Sequence, residues 1–351
     1  MRRHPTPLCD SGKGMAEIAI GARRLTLLGY GACALAGSLW GTGFYFGRLA
    51  LNEMSVEHMV LDRFLFASLG IAPVLVLDRH RLRFTGGEVR TLLIAAFFGI
   101  PIQFLLQFYG LARTTVSHAS LMVGAMPVML AAAAALFAPK GSKEERLDGF
   151  GWLALLGSTV GAALIVLGGN RGPAVHGEPS LVGDLLVLAS LVTALAWMLL
   201  SKKLMQTHSP QVVTACTILS GTLMLAMWVL GPWLLRPWLP ASWLNFSWMA
   251  DRVQPPPFAH LSPTAWTALA ISGLLCTAAA TLLWNWGIHH VPTSRAGVFL
   301  NLEPALGAWL GVQLLGERLG PYAWAGGALI LAAALTLTTR GHPPEPDLIL
   351  E

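Results

Sequence analysis

Charge is scarce in this sequence. Only 12% of its 351 residues are Asp, Glu, Lys or Arg, half of the roughly 25% that soluble domains carry, and 54% are hydrophobic. Such a chain precipitates in water unless a bilayer takes up its apolar surface, so a soluble globular protein is excluded. Cysteine is almost as sparse. Cys9, Cys33, Cys216 and Cys276 form no CxxC pair, and three of them fall in apolar runs. They read as small buried hydrophobes, not as a disulfide framework or a metal site. No block of basic residues is interleaved with aromatics, which removes nucleic acid as a partner. No phosphate-binding glycine loop is present, so ATP drive is not encoded, and GxSxG and HExxH are also missing. Nothing in the sequence calls for a cofactor.

What the chain does have is apolar length. A spanning helix needs ~20 mostly apolar residues to cross ~30 Å of hydrocarbon. Ten stretches qualify, at about 25–46, 57–77, 91–112, 116–138, 149–169, 182–201, 211–235, 265–288, 294–315 and 321–339. The first has a charged lead (Arg23, Arg24) and an Ala34-Leu35-Ala36 pattern like a signal cleavage site. Its apolar part is too long for a signal, and it is read as a retained helix. With the N-terminus inside, the inner segments hold Arg2, Arg3, Lys13, Arg23, Arg24, Arg79, Arg81, Arg83, Arg90, Lys140, Lys143, Arg146, Lys202, Lys203 and Arg340. The outer ones hold only Arg48, Arg113, Arg171, Arg236, Arg252 and Arg318. Basic residues favour the cytoplasmic side, which predicts both termini inside and an even number of spans.

The expected fold class is therefore an all-α integral membrane protein with ten transmembrane helices in two inverted five-helix repeats. Its divisions are a cytoplasmic tail (1–24), a first repeat (25–170), a second repeat (181–340) and a cytoplasmic tail (341–351). An outer loop at 236–263, carrying Trp238, Trp243, Trp248 and Pro255 to Pro257, reads as an interfacial anchor, with a lid over a pore as the alternative.

The repeat rests on matches that keep a common order. Gly110 aligns with Gly287, Ser117 with Ser294, Ala119 with Ala296 and Pro127 with Pro304. Glu145-Arg146-Leu147 aligns with Glu317-Arg318-Leu319, Leu28-Gly29 with Val182-Gly183, and Ser55 with Ser209. Each unit has five helices, an odd number, so the second enters the membrane from the opposite side. Inverted repeats around a midplane site are a signature of secondary transporters; a duplicated scaffold that moves nothing is the competing explanation.

Three stretches resemble the EamA-type permeases of the drug/metabolite transporter superfamily. They are SLWGTGFYFGRLAL (38–51) with DRFLFASL (62–69), TSRAGVFLNLEPALGAWLGVQLLGERL (293–319), and AWAGGALILAAALTL (323–337). The resemblance spans nearly the whole chain and implies ten helices in two inverted repeats and an export function. Two departures stand out: Ala125-Met126-Pro127 replaces the acidic residue and proline in the first repeat, and the outer loop is long.

Glu303 is the leading candidate site residue. An ionised group at a helix centre costs roughly 2.5–3.5 kcal/mol on insertion scales and so faces a bundle interior or a wet cavity. Pro304 and Pro127 would free the carbonyls of Leu300 and Val123, which predicts a kink beside a cavity in each symmetry-related helix. Glu303 then binds a cationic group or carries a coupling proton, or else it locks helix packing. Arg63 is assigned a gating or structural role, against bidentate capture of a substrate anion. Gln103 and Gln107, at i and i+4, share one face that lines the cavity or a helix contact. Trp40, Tyr45, Trp284, Asn285 and Asn301 complete the candidate substrate-binding set, with interfacial packing or interhelical hydrogen bonding as their alternatives. Tyr109 and His118 are weaker candidates, Glu317 joins the gating or structural set, and His289-His290 reads as an exposed loop pair. Small-residue spacings at Gly37/Gly41, Gly43/Gly47, Gly157/Gly161 and Gly307/Gly311 predict close helix contacts.

Together these features predict a non-enzymatic permease of a small-molecule solute in the inner membrane, coupled to a proton or another gradient. A membrane-embedded enzyme or lipid-handling protein using the same cavity is the alternative. The sequence leaves substrate identity and oligomeric state open.

Overall fold

The computed structural model describes residues 11–78, 82–126, 128–129, 132–133, 149–168, 180–238, 260–288, 290–291 and 297–340. Among them the only regular structure is helical. Helices α1 (Ser11–Leu51) and α2 (Val56–Leu77) are joined by a short turn, and Ser55 caps α2. Helix α3 (Gly86–Leu111) changes register at a π segment, Phe98–Ile102. Then follow α4 (Val116–Val123), α5 (Gly149–Gly168), α6 (Leu181–Leu204) and α7 (Pro210–Leu235). Helix α8 (Pro263–Ile288) contains a second π segment, Ile271–Ala279. A 3-10 turn at Gly297–Asn301 leads into α9 (Leu302–Leu314), and α10 (Pro321–Arg340) ends the described chain.

Helices α2, α3, α6, α8 and α7 with its extension to Trp238 are long and apolar enough to cross a membrane. Shorter apolar stretches lie at Gly149–Ile165 in α5 and Pro321–Thr336 in α10. Large apolar side chains are exposed along the flanks, among them Leu69 and Val76 of α2, Leu156 of α5 and Met227 of α7. Water would oppose such a surface and acyl chains would cover it. The chain is a multi-pass membrane protein.

Each π segment has a local cause. In α3, Pro101 lacks the N–H that would close the α-helical ladder, and the register loosens around it. In α8, the Thr277 hydroxyl donates to the Ser272 carbonyl at 2.9 Å, five residues back, and so satisfies a widened turn.

The two halves pack on each other through matching contacts. Helix α1 lies on α8, and α6 lies on α3. A Cβ added at Gly110 would come within 2.8 Å of the Gly183 carbonyl oxygen; one added at Gly287 would come within 3.0 Å of that of Gly29. A Cβ at Gly183 would lie 3.0 Å from Cβ of Arg113, and one at Gly29 lies 3.0 Å from Cβ of His290. These are the glycines that the internal alignment pairs. Gly29 of α1 lies beside the end of α8, with the rest of α1 running on from there, whereas α6 starts beside the end of α3, where Ser180 donates to the Arg113 carbonyl. The end of α1 also meets the start of α8, since Glu53 accepts from Ser262, and a Cβ on Gly47 of α1 would strike the Phe108 ring of α3. Helices α1 and α6 therefore begin at opposite ends of the bundle.

The small-residue spacings mostly do as expected. Gly37 and Gly41 of α1 meet Phe299, Leu302 and Glu303, and Gly307 and Gly311 of α9 meet Ser120 and Ser117 of α4. Gly161 of α5 meets Gly326 and Ile330 of α10. Gly157 departs from the expectation: among the described residues nothing lies within 4 Å of a Cβ placed there.

Candidate functional site

Arg63 and Glu303 flank the middle of α1: Gly43 lies against the Arg63 guanidinium and Gly41 against the Glu303 backbone. Arg63 is buried on α2, and its Nε donates to Thr277 Oγ1 at 3.0 Å. Its guanidinium lies 5.2 Å and 5.3 Å from the ring centroids of Phe104 and Phe108 on α3, close enough for cation–π attraction. Gly43 of α1 and Cys276 of α8 give it room: a Cβ at Gly43 would lie 3.5 Å from one terminal nitrogen. Thr42 Oγ1 and Cys276 Sγ, 3.2 Å apart, tie the same walls together. A charge this deep needs a counter-charge and several partners to be tolerated, and Arg63 has both.

Glu303 stands where helix geometry helps an anion. The expected kink at Pro304 takes another form, because α9 begins only at Leu302 and Pro304 falls in its first turn. There a missing N–H costs nothing, since the first four have no intrahelical partner. Glu303 is in the same turn, where the aligned peptide dipoles favour negative charge. The 3-10 turn before it and the close approach of Gly41 to the Glu303 backbone set this start inside the bundle. Pro127, its symmetry-related counterpart, lies outside the described residues, as does His289.

Trp40 of α1 and Trp284 of α8 touch, with ring centroids 5.5 Å apart. Gln107 is buried on α3, beside the rings that hold Arg63, and Gln103 presents a buried Oε1 without a partner among the described residues. Asn285 is buried with its Nδ2 unpaired, and Asn301 is buried at the start of α9. Tyr45 instead packs on its neighbour Phe46, and Tyr109 donates to Glu57 away from the pair.

Glu317 belongs to a separate cluster at the far end of α1. Gly316, at φ +67°, turns the chain after α9, a left-handed conformation that glycine adopts without strain. The turn sends the Glu317 carboxylate to the start of α4, where it accepts from the N–H groups of Val116 (2.7 Å) and Ser117 (2.8 Å) and from the Ser117 hydroxyl (2.6 Å). The Gly-Glu pair thus works as a helix cap delivered from another segment. Arg48 donates to the Thr114 carbonyl and feels the Glu317 charge. Asp184 of α6, fully buried, accepts from Thr114 Oγ1, and its second oxygen lies 3.6 Å from His118 Nδ1. At the same end Glu53 takes both Ser262 donors, which hold its carboxyl below the usual range.

Sequence reasoning missed Asp184, Thr277 and Trp197. Asp184 was legible as an acid inside the sixth apolar run. Trp197 of α6 covers Gly99, and its indole Nε1 is buried without an acceptor; only the internal alignment could have singled it out. Among the described residues no cluster of side chains has the make-up of a metal site.

The EamA-like transporter family matches this chain twice, over residues 27–167 and 181–339. An uncharacterized transporter of Archaeoglobus fulgidus is 22% identical over 309 residues, 88% of this chain and 96% of that protein. An uncharacterized transporter of Haemophilus influenzae is 27% identical over 169 residues, 46% of this chain and 81% of that protein. A solved crystal structure superposes with a TM-score of 0.56 at 18% identity, covering 91% of this chain and 98% of that one, a likeness of fold.

Proposed function

Because this chain belongs to the EamA-like transporter family, we propose that it is a secondary transporter that exports a small metabolite, an amino acid or related amphipathic solute, across the inner membrane by alternating access. Ten spans form two inverted five-helix repeats, with both termini cytoplasmic. The observation that carries the reading is the placement of Arg63 and Glu303 against neighbouring glycines of α1, Gly43 and Gly41, with the Phe104 and Phe108 rings on the guanidinium. A guanidinium and a carboxylate in one pocket complement a solute with both charges, and the aromatic rings take its apolar part.

Matching contacts on the two faces support exchange between two conformations. Opening the α1–α8 contact while the α6–α3 contact stays closed exposes the centre to one side, and the reverse exposes it to the other. Glu303 is the carrier of the coupling proton. It releases its proton when the cavity is wet and takes one up when the solute leaves, so that both cargoes never leave an uncompensated charge in the core.

The test is flux from sealed proteoliposomes holding a metabolite mixture, with and without a proton gradient. Unmodified solute should leave faster than from protein-free vesicles, and Glu303→Gln at equal protein density should stop it. A chemically altered product would favour the membrane-enzyme alternative. Normal flux through Glu303→Gln would remove the residue from the mechanism.

A further inference from the structure

On the lipid-facing flank, a groove of about 490 Å³ runs along α3 with Met224 of α7 on its far wall. It extends from Gly86, in the first turn of α3, to Phe98, where the π segment begins. Twelve residues of helix rise about 18 Å, close to one leaflet of a ~30 Å hydrocarbon core. Val89, Leu93, Phe97 and Phe98 make its wall apolar, and Arg90 is the one charged residue in the lining.

Arg90 sits about one turn in from the helix start, the depth from which a long basic side chain reaches the headgroups. It is exposed, and among the described residues no carboxylate pairs with it. The nearest acid in sequence, Glu88, is committed elsewhere. It closes a capping box with Thr85 and binds Thr207 and His208 from the other face of α3. The same contacts bring the end of α6, with exposed Lys202 and Lys203, to this end of the bundle, and exposed Arg83 precedes α3. The positive end of the α3 dipole adds to this field.

We propose that this groove is a binding site for an anionic phospholipid. The phosphate is held by Arg90, and one acyl chain lies along Leu93 and Phe97 against Met224. A basic pocket between membrane helices selects an anionic over a zwitterionic headgroup, and the apolar trough distinguishes a lipid from a free anion. The tail ends on the π segment that directly precedes Gln103. Its occupancy therefore braces the part of α3 that faces the central pair.

The test is native mass spectrometry of the full-length protein in detergent, with equimolar phosphatidylglycerol and phosphatidylcholine of the same chains. The wild type should retain phosphatidylglycerol in preference by about fivefold, the worth of one basic residue beside an anionic headgroup. Arg90→Ala should erase the preference, Arg90→Lys should keep most of it, and Arg83→Ala should change it little. Leu93→Trp should lower retention of both lipids by filling the trough. An Arg90→Ala protein with the wild-type preference, or displacement of the lipid by excess glycerol phosphate, would overturn the proposal. The binding readout does not depend on transport, so a chain that moves no solute would leave this result standing.

Discussion

Truncating Glu317 to alanine removes a carboxylate that holds the turn after α9 to the start of α4. Its oxygens accept from Val116 N–H, Ser117 N–H and the Ser117 hydroxyl. The hydroxyl has a second acceptor within reach, the Ala308 carbonyl at 3.2 Å, so its loss is partly made good. The two amides have none, and both residues are fully buried. An orphaned buried N–H costs about 1–3 kcal/mol. The neighbouring cap, Thr115 accepting from His118 N–H, survives and limits fraying. Glu317→Ala should therefore destabilise by about 3 kcal/mol. Glu317→Gln keeps one acceptor oxygen but forfeits the charge at the helix start, and should cost about 1–1.5 kcal/mol. Equilibrium unfolding by SDS titration in mixed micelles, followed by far-UV circular dichroism, ranks the two. An alanine variant within about 0.5 kcal/mol of wild type, or a glutamine variant no better than alanine, would refute the capping argument.

Two further outcomes follow from contacts at the rims of the bundle. A Cβ on Gly161 would fall 2.6 Å from the Gly326 carbonyl oxygen, and one on Gly326 would strike that of Gly161; Gly161→Ala or Gly326→Ala should push α5 from α10 and cost about 1–3 kcal/mol, whereas Gly157→Ala, facing open space, should be neutral or slightly stabilising in the same titration. Glu53, whose carboxyl is held low by the Ser262 donors, favours the folded state in its ionised form; the link between α1 and α8 is intact above the ordinary carboxylate range and lost as pH falls through the lowered value, so hydrogen exchange of peptide 261–265, corrected for intrinsic rates, should quicken on acidification in wild type, by less in Ser262→Ala, which keeps the backbone donor, and show no such step in Glu53→Ala.

The helices were legible in the sequence because apolar length is a direct readout of bilayer thickness, and α2, α6, α7 and α10 fall close to their expected bounds. Internal punctuation was harder. The π segment of α3 has a visible cause in Pro101, but nothing in ISGLLCTAA announces the π segment of α8, which rests on a hydroxyl bond from Thr277 to a carbonyl five residues back. Pro304 was read as a mid-helix break, since sequence alone does not tell a proline inside a helix from one in its first turn. Glu303, Arg63, Gln103 and Gln107 stood out as polar residues in apolar runs. Glu317 stood out through Gly-Glu, yet its partner, the start of α4, is 200 residues away in the chain.

The asymmetry between the two halves locates the polarity of the site. In the register that pairs Gly29 with Gly183 and Gly110 with Gly287, Trp197 corresponds to Gly43 and Gly99 to Cys276. In one half the Trp197 indole lies on Gly99; in the other, Gly43 lies on Cys276, where an added Cβ would sit 3.4 Å from that of Cys276. The volume that the indole fills on one side is filled on the other by the Arg63 guanidinium. At the position matching Arg63 stands Thr217, small, buried and bonded to the Val213 carbonyl. One half thus carries a guanidinium at this place and the other an indole N–H; that N–H and the Gln103 side-chain carbonyl are buried without partners among the described residues. Trp197→Phe keeps a ring on Gly99 and deletes an unpaired donor, so stability should hold or rise by about 1 kcal/mol. If the donor serves the solute, KM for export should rise severalfold while protein abundance stays level. A variant with unchanged KM would mean that the N–H meets only water, and that the duplicated fold keeps its recognition on the Arg63 wall alone.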